Sequence, residues 1–244
     1  MAGETAKTRA VCLDIRPWSR TSHVVTWLAE TGPITTSVKG AVRPKSAFLG
    51  QYDLNYSCEL VYYLNSRGDI HALRECMPVK TRDYLRSDWR NLSLATYYRS
   101  ISGMMCPSGP EARKWLELLE SSLDKLAGGE GALPQMIRFD LAALDLAGIG
   151  PDFSNYSKSE EWSVFSLESG RFGASGRSIR MPIEVCEYLA GGARAEKKSQ
   201  ITLEAARVIG VYYTFHTGHP LPVRRLTAGL IANTQKKEAG EKQT

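Results

Sequence analysis

The chain has 244 residues, a mass of 27.0 kDa and a formal charge of +5, with 43% hydrophobic and 23% charged residues. That is one large domain or two small ones, and the balance excludes a wholly disordered, collagen-like or low-complexity chain. No run of about 18 apolar residues occurs, which excludes a spanning helix; Met1–Lys7 carries an acid and lacks an apolar stretch, so no signal peptide and a cytoplasmic location are expected.

In chain order, roughly the first 80 residues carry strand periodicity. Apolar side chains alternate with others over Val11–Arg16, and Val24–Leu28 is a short β-branched and aromatic run. Thr31-Gly32-Pro33 is a turn, Ile34, Thr36 and Val38 share one strand face, and Cys58, Leu60, Tyr62 and Leu64 share another. Ser66-Arg67-Gly68-Asp69 turns the chain so that Ile70–Cys76 returns as a partner strand. Five short strands in so few residues predict a small closed barrel.

The period changes after Pro78. Leu85, Trp89, Leu92 and Thr96 begin a helical stripe that Pro107-Ser108-Gly109-Pro110 ends. Trp115, Leu118, Leu119, Leu123 and Leu126 form a second, strongly amphipathic helix, stopped by Gly128-Gly129-Glu130-Gly131. Ile137, Leu141, Leu144 and Ala147 predict a third, closed by Gly148-Ile149-Gly150-Pro151. The Ser- and Gly-rich segment 152–181 holds a hairpin pattern, Trp162–Leu167 returning through Arg171–Gly173. Helical patterns resume over Pro182–Leu189 and Leu203–Phe215. The domain boundary is expected between Pro78 and Tyr84.

Charge is distributed unevenly. No acid occurs between Glu30 and Asp53, where Lys39, Arg43 and Lys45 fall, and the tail from Arg224 onward is basic. A basic stretch permits nucleic-acid binding without requiring it. The cysteines (Cys12, Cys58, Cys76, Cys106 and Cys186) are scattered with no CxxC pair, so free buried thiols are expected, not disulfides or a zinc knuckle. Enzyme motifs are missing. No Walker loop or GxSxG elbow occurs, His216 and His219 straddle a helix end, and Asp140 and Asp145 make no carboxylate pair with an evident task.

Four segments, residues 16–22, 38–46, Ile137–Leu141 with Leu146–Phe153, and Gly218–Leu226, resemble, in order, those of the RecO family of DNA repair and recombination mediators. Arg16-Pro17-Trp18-Ser19-Arg20-Thr21-Ser22 is similar to the approach to their second strand, and Val38-Lys39-Gly40-Ala41-Val42-Arg43-Pro44-Lys45-Ser46 to their "KGARRPKS" loop. Ile137–Leu141 followed by Leu146–Phe153 resembles "RFEL…LGYxPD", and Gly218–Leu226 resembles "GrPLKSlrfL". The resemblance implies an α+β, multidomain chain. Residues 1–80 would form a five-stranded OB-fold barrel that binds DNA. Residues 81–235 would form a mainly α-helical domain with a small hairpin at 152–181, and 236–244 a basic flexible tail. Two departures stand out. Many relatives carry two cysteine pairs after the "PD" turn that bind zinc, whereas Asp152–Ser178 contains no cysteine, so no metal or other cofactor is expected. The family often has Glu where Arg20 stands, which here adds positive charge near the barrel.

The resemblance further implies binding of single- and double-stranded DNA and annealing of complementary strands. These include strands coated with single-stranded DNA-binding protein. With RecR, such a protein promotes RecA loading, with a link to RecF, at the nucleoid and without bond-making chemistry. Lys39, Arg43 and Lys45 are the leading expected DNA contacts, with Arg16 and Arg20 flanking Trp18, which suits either base stacking or burial as a cap on the barrel. Arg224 and Arg225 either extend the DNA path or belong to a solvated tail. For the acidic, apolar-tipped C-terminal tail of single-stranded DNA-binding protein, Arg138 is the expected cation and Phe139 part of an apolar slot. Leu116 and Leu119 either line that slot or belong to the core. The alternative is a protein–protein adaptor in a repair complex, without annealing activity of its own.

Overall fold

The structure, a computed structural model, describes residues 4–128, 130–173, 176–194 and 199–218 and positions 227 and 229. Five strands come first: β1 (Thr5–Pro17), β2 (His23–Ala29), β3 (Gly32–Val38), β4 (Ser57–Tyr63) and β5 (Ile70–Lys80). They close into a barrel in the order β1-β2-β3-β5-β4, with β3 parallel to β5 and the other pairs antiparallel. β1 serves two neighbours: Thr5–Val11 pairs with β4, and Ala10–Pro17 with β2. A bulge between Cys12 and Asp14 turns the strand as closure requires and leaves Leu13 without a cross-strand partner. The buried Arg99 guanidinium donates to the Leu13 carbonyl. This is the small closed barrel that the strand pattern predicts and the OB fold that the resemblance implies.

The inward side chains include Val25, Trp27, Val38, Leu60 and Tyr62. Burying each contributes about 1.5–3 kcal/mol. Trp27 satisfies its indole N–H on Thr36 Oγ1 at 2.9 Å. The long connection between β3 and β4 sends Ala41, Phe48, Tyr52, Leu54 and Tyr56 onto the same core. It is stitched to β1 by Cys12 N–H to Tyr56 O (2.9 Å) and Asn55 N–H to Cys12 O (3.1 Å).

A 3-10 turn (Asp83–Ser87) leads to α1 (Trp89–Met105), α2 (Ala112–Lys125) and α3 (Ala132–Leu146). The chain divides into two compact units, Met1–Asp88 with Tyr98–Ala127, and Trp89–Tyr97 with Gly128–Thr244. The barrel's unit therefore includes α2, whose buried stripe is Ala112, Trp115, Leu116, Leu119 and Leu123. Polar clamps fix that helix. Arg82, buried and in left-handed backbone geometry, donates from Nε to Asp124 (2.7 Å) and from Nη1 to Asn55 O (2.7 Å) and Ser57 Oγ (3.0 Å). Lys80 reaches the other Asp124 oxygen at 2.6 Å, and Arg9 and Ser57 hold Glu120 at 2.8 and 2.6 Å.

The second unit combines α3 with β6 (Trp162–Ser166), β7 (Arg171–Phe172), β8 (Ser178–Pro182), α4 (Ile183–Ala190) and α5 (Ser199–Thr217). The predicted hairpin is β6–β7, and β8 adds a third strand on the far side of β6 that the sequence pattern did not reveal. Aromatic rings pack around this sheet. Phe153 stacks on Phe165 at 4.8 Å between centroids, and Phe172 meets Phe165 edge-on at 5.4 Å. Tyr156 closes on Phe172 and Tyr212 on Phe165. Among the described residues, no group of three or more His, Cys, Asp or Glu is arranged to hold a metal ion. His216 donates from Nε2 to Leu167 O at 2.9 Å. All five cysteines are free and buried, and burial pushes Cys106 and Cys186 up to about 11. No helix among the described residues is long and apolar enough to cross a membrane.

Candidate nucleic-acid interface

Strand alternation builds a face on the outside of the barrel. β3 points Thr36 and Val38 inward, so Thr35 and Ser37 point outward, and Lys39 follows in the same phase. Cross-strand pairing sets Arg16, Val24, Ser37 and Ala72 in one row and Asp14, Thr26, Thr35 and Ile70 in the next. The rows are small and half-exposed between β1 and β3, a low-relief surface on which a strand can lie.

Two loops border it. β1 ends at Pro17, and a tight turn closes through Trp18 N–H to Ser22 O at 2.8 Å. In that turn Trp18 is 67% exposed, so it does not cap the barrel core, and Arg20 is exposed beside it. The basic loop is tied to this turn: Gly40 N–H donates to Ser22 Oγ (3.2 Å) and Val42 N–H to Thr21 O (3.3 Å). Gly40 has φ +68°, and Arg43 N–H folds back to Gly40 O at 3.1 Å. A left-handed residue at that position turns the loop, which glycine allows at least cost. Ala41 is buried while Val42, Arg43 and Lys45 are exposed, so the loop is anchored by its apolar residues and presents its cations. Segments some 20 residues apart in sequence thereby meet, bringing Trp18 and Arg20 beside Lys39 and Arg43.

The cations are not equivalent. Arg16 is paired with Asp14 at 2.6 Å on its own strand. Among the described residues, Arg20, Lys39, Arg43 and Lys45 take part in no ion pair, leaving them available to phosphate. Under the loop, Tyr52 OH hydrogen-bonds His23 Nδ1 at 2.8 Å, and burial keeps its phenol far above the ordinary range. Arg224 and Arg225 lie outside the described residues, as does His219.

The residues expected to grip an acidic protein tail divide between the units. Leu116 and Leu119 have no exposed surface and form part of the stripe that seats α2. In the second unit, Phe139 is buried edge-on against Tyr97, while the Arg138 side chain keeps 24% of its surface exposed. Arg138 donates from Nη1 to Ala193 O at 3.0 Å and from Nη2 to the Glu130 carboxylate.

Compared with known families, residues 86–225, more than half of the chain, match the family described as "Recombination protein O C terminal". The chain belongs to the RecO family. Its role accordingly lies in DNA recombination and repair. No curated protein matches the chain in a direct comparison. The match begins after the barrel, so the RecO assignment and the OB fold come from different parts of the molecule. Sequence reasoning missed the outward threonines and serine of β2 and β3, and Arg67, exposed in the β4–β5 loop. In OB folds the face of strands 2 and 3, with the loops β1–β2 and β4–β5, is where oligonucleotides bind. The alternation of Thr35, Ser37 and Lys39 is the signal that could have found them.

Proposed function

We propose that this RecO family chain is a strand-annealing mediator. It binds single- and double-stranded DNA along the barrel face, with Lys39, Arg43, Lys45, Arg16 and Arg20 on phosphates and Trp18 stacking on a base. It anneals complementary strands, including those coated with single-stranded DNA-binding protein, and with RecR promotes RecA loading, linked also to RecF. It does so at the nucleoid by neutralising charge, not by making bonds. The observation that carries the reading is the tether between the Trp18 turn and the Gly40–Val42 loop, which groups an exposed indole with unpaired cations.

Each phosphate neutralised releases condensed counterions, so three contacts from Lys39, Arg43 and Lys45 give a log–log salt slope of about −2 on single strands. Replacing Lys39 and Arg43 by Glu should abolish annealing and remove at least about 1.4 of that slope. These side chains are exposed and hold nothing else, so the melting temperature should hardly change. Annealing of labelled complementary oligonucleotides, bare and coated, across a salt series measures this. Unaltered annealing by the double variant overturns the site, and a wild-type chain that binds no DNA at low salt is the adaptor instead.

Arg138 is the proposed anchor for the acidic tail of the coat protein, since a guanidinium pairs with carboxylates in fixed geometry. Arg138→Ala should weaken binding of the tail peptide and spare bare DNA. Equal loss of both, or of neither, would count against separate sites.

A further inference from the structure

Annealing needs a hold on two strands, and the barrel face accounts for one. In the second unit, the three-stranded sheet has two unlike faces. Phe165 and Met181 are fully buried on one. The other, by alternation and register, presents Trp162, Val164, Arg180 and Ser178, with Arg171 opposite Ser166 at the end of the row. Trp162 is 43% exposed, and the Arg180 guanidinium lies over its ring, 5.4 Å from the centroid. The charged residues within β6, β7 and β8 are Arg171 and Arg180, and these strands contain no acid.

We infer that this face is a second binding site for single-stranded nucleic acid, in which Trp162 stacks on a base and Arg180 and Arg171 follow the phosphates. The inference rests on the annealing reading above. Flat indole surface with arginine beside it suits any base, because every base has a π face and the cation adds to the stack. From Trp162 to the level of Ser166 and Arg171 is four residues, about 13 Å at roughly 3.3 Å each, room for a short stretch of strand. Arg171 lies 4.0 Å from Asp152, an exposed pair that a phosphate can replace at little cost. Glu160 and Glu161 precede Trp162 in sequence, so the phosphate path lies on the Arg180–Arg171 side and the indole takes the base at the end.

The test uses the full chain and a thymidine oligonucleotide carrying 5-iodouracil. Irradiation should give adducts in two regions, one near Trp18 and one containing Trp162. The Trp162 adduct should persist when Lys39 and Arg43 are replaced by Glu. Trp162→Ala should remove it and slow annealing by about fivefold or more, the loss of one stacked base, while Trp162→Phe restores both. Arg180→Glu should slow annealing with the fold intact, as judged by an unchanged melting temperature. Wild-type annealing with adducts confined to the barrel overturns this site and leaves the barrel reading standing. Annealing by Trp162→Ala at the wild-type rate overturns it too. Displacement of the Trp162 adduct by an acidic peptide as readily as by unlabelled single strand would assign the face to a protein tail instead. A wild-type chain that gives no adduct and does not anneal removes both readings together.

Discussion

Arg138 shows how a single side chain can be held ready. Its guanidinium is occupied by Glu130, a carboxylate of the same chain that is half-exposed. If Arg138 anchors an acidic tail as proposed, that tail has to displace Glu130, because two carboxylates would compete for the same fork of donors. Glu130→Gln should therefore tighten binding of the tail peptide, by several-fold and most visibly at low salt, while Arg138→Ala weakens it; calorimetric titration of the peptide into each variant reads both signs. Equal affinities for Glu130→Gln and wild type would show that Glu130 does not compete. The sequence singles out Arg138 through the segment around Phe139, but not its ion-pair partner, because Glu130 lies in a Gly-rich stretch that offers no spacing rule. Trp18 illustrates the converse. Its residue type fits core or surface equally, and the answer depends on a turn closed by Ser22, which only the folded backbone reveals.

Elements were more legible than partners. The barrel strands and the helix α2 are present where the patterns place them, but the details differ: α2 buries Leu116 in place of Leu118, and at the bulge in β1 Val11, Cys12 and Leu13 are all buried, which breaks the alternation read there. β8 was missed because Ser178-Ile179-Arg180-Met181-Pro182 is short and follows a Gly-rich stretch, so pairing to β6 defines it, not pattern. The junction between β5 and α2 depends on charge. Burial raises the Asp124 pKa, but the hydrogen bonds from Lys80 and Arg82 outweigh this and hold it below the ordinary 3.8. A depressed carboxylate contributes stability in full above its unfolded pKa and loses it as pH falls through the folded value. Asp124→Asn should therefore be less stable than wild type at neutral pH, with the gap closing below about pH 4; denaturant melts at a series of pH values check this. A constant gap would mean the carboxylate charge is not the cause. In the other unit, the cluster of Phe153, Phe165 and Phe172 is expected to hold the small sheet without a metal. Phe165→Ala should cost about 3–5 kcal/mol, and a strong chelator should leave the wild-type melting curve unmoved.

At the scale of the molecule, a charge of +5 understates the polarity of the surface, because the acid-free stretch from Thr31 to Tyr52 concentrates cations on one loop. That concentration was readable from sequence, whereas the topology that carries it to the Trp18 turn was not. The buried cysteines have a further use. Cys12, Cys58 and Cys76 line the barrel, Cys106 follows α1, and Cys186 lies in α4. Buried thiols react only when the surrounding structure opens, since a reagent must reach the sulfur and the thiolate is the reactive form. Timed alkylation followed by peptide mass spectrometry should mark the three barrel thiols together, at a rate separate from that of Cys186. Placed by evolution for packing, these thiols amount to a set of native clocks. Each is silent while its unit is closed, so the order in which the molecule comes apart can be timed without attaching a label beforehand.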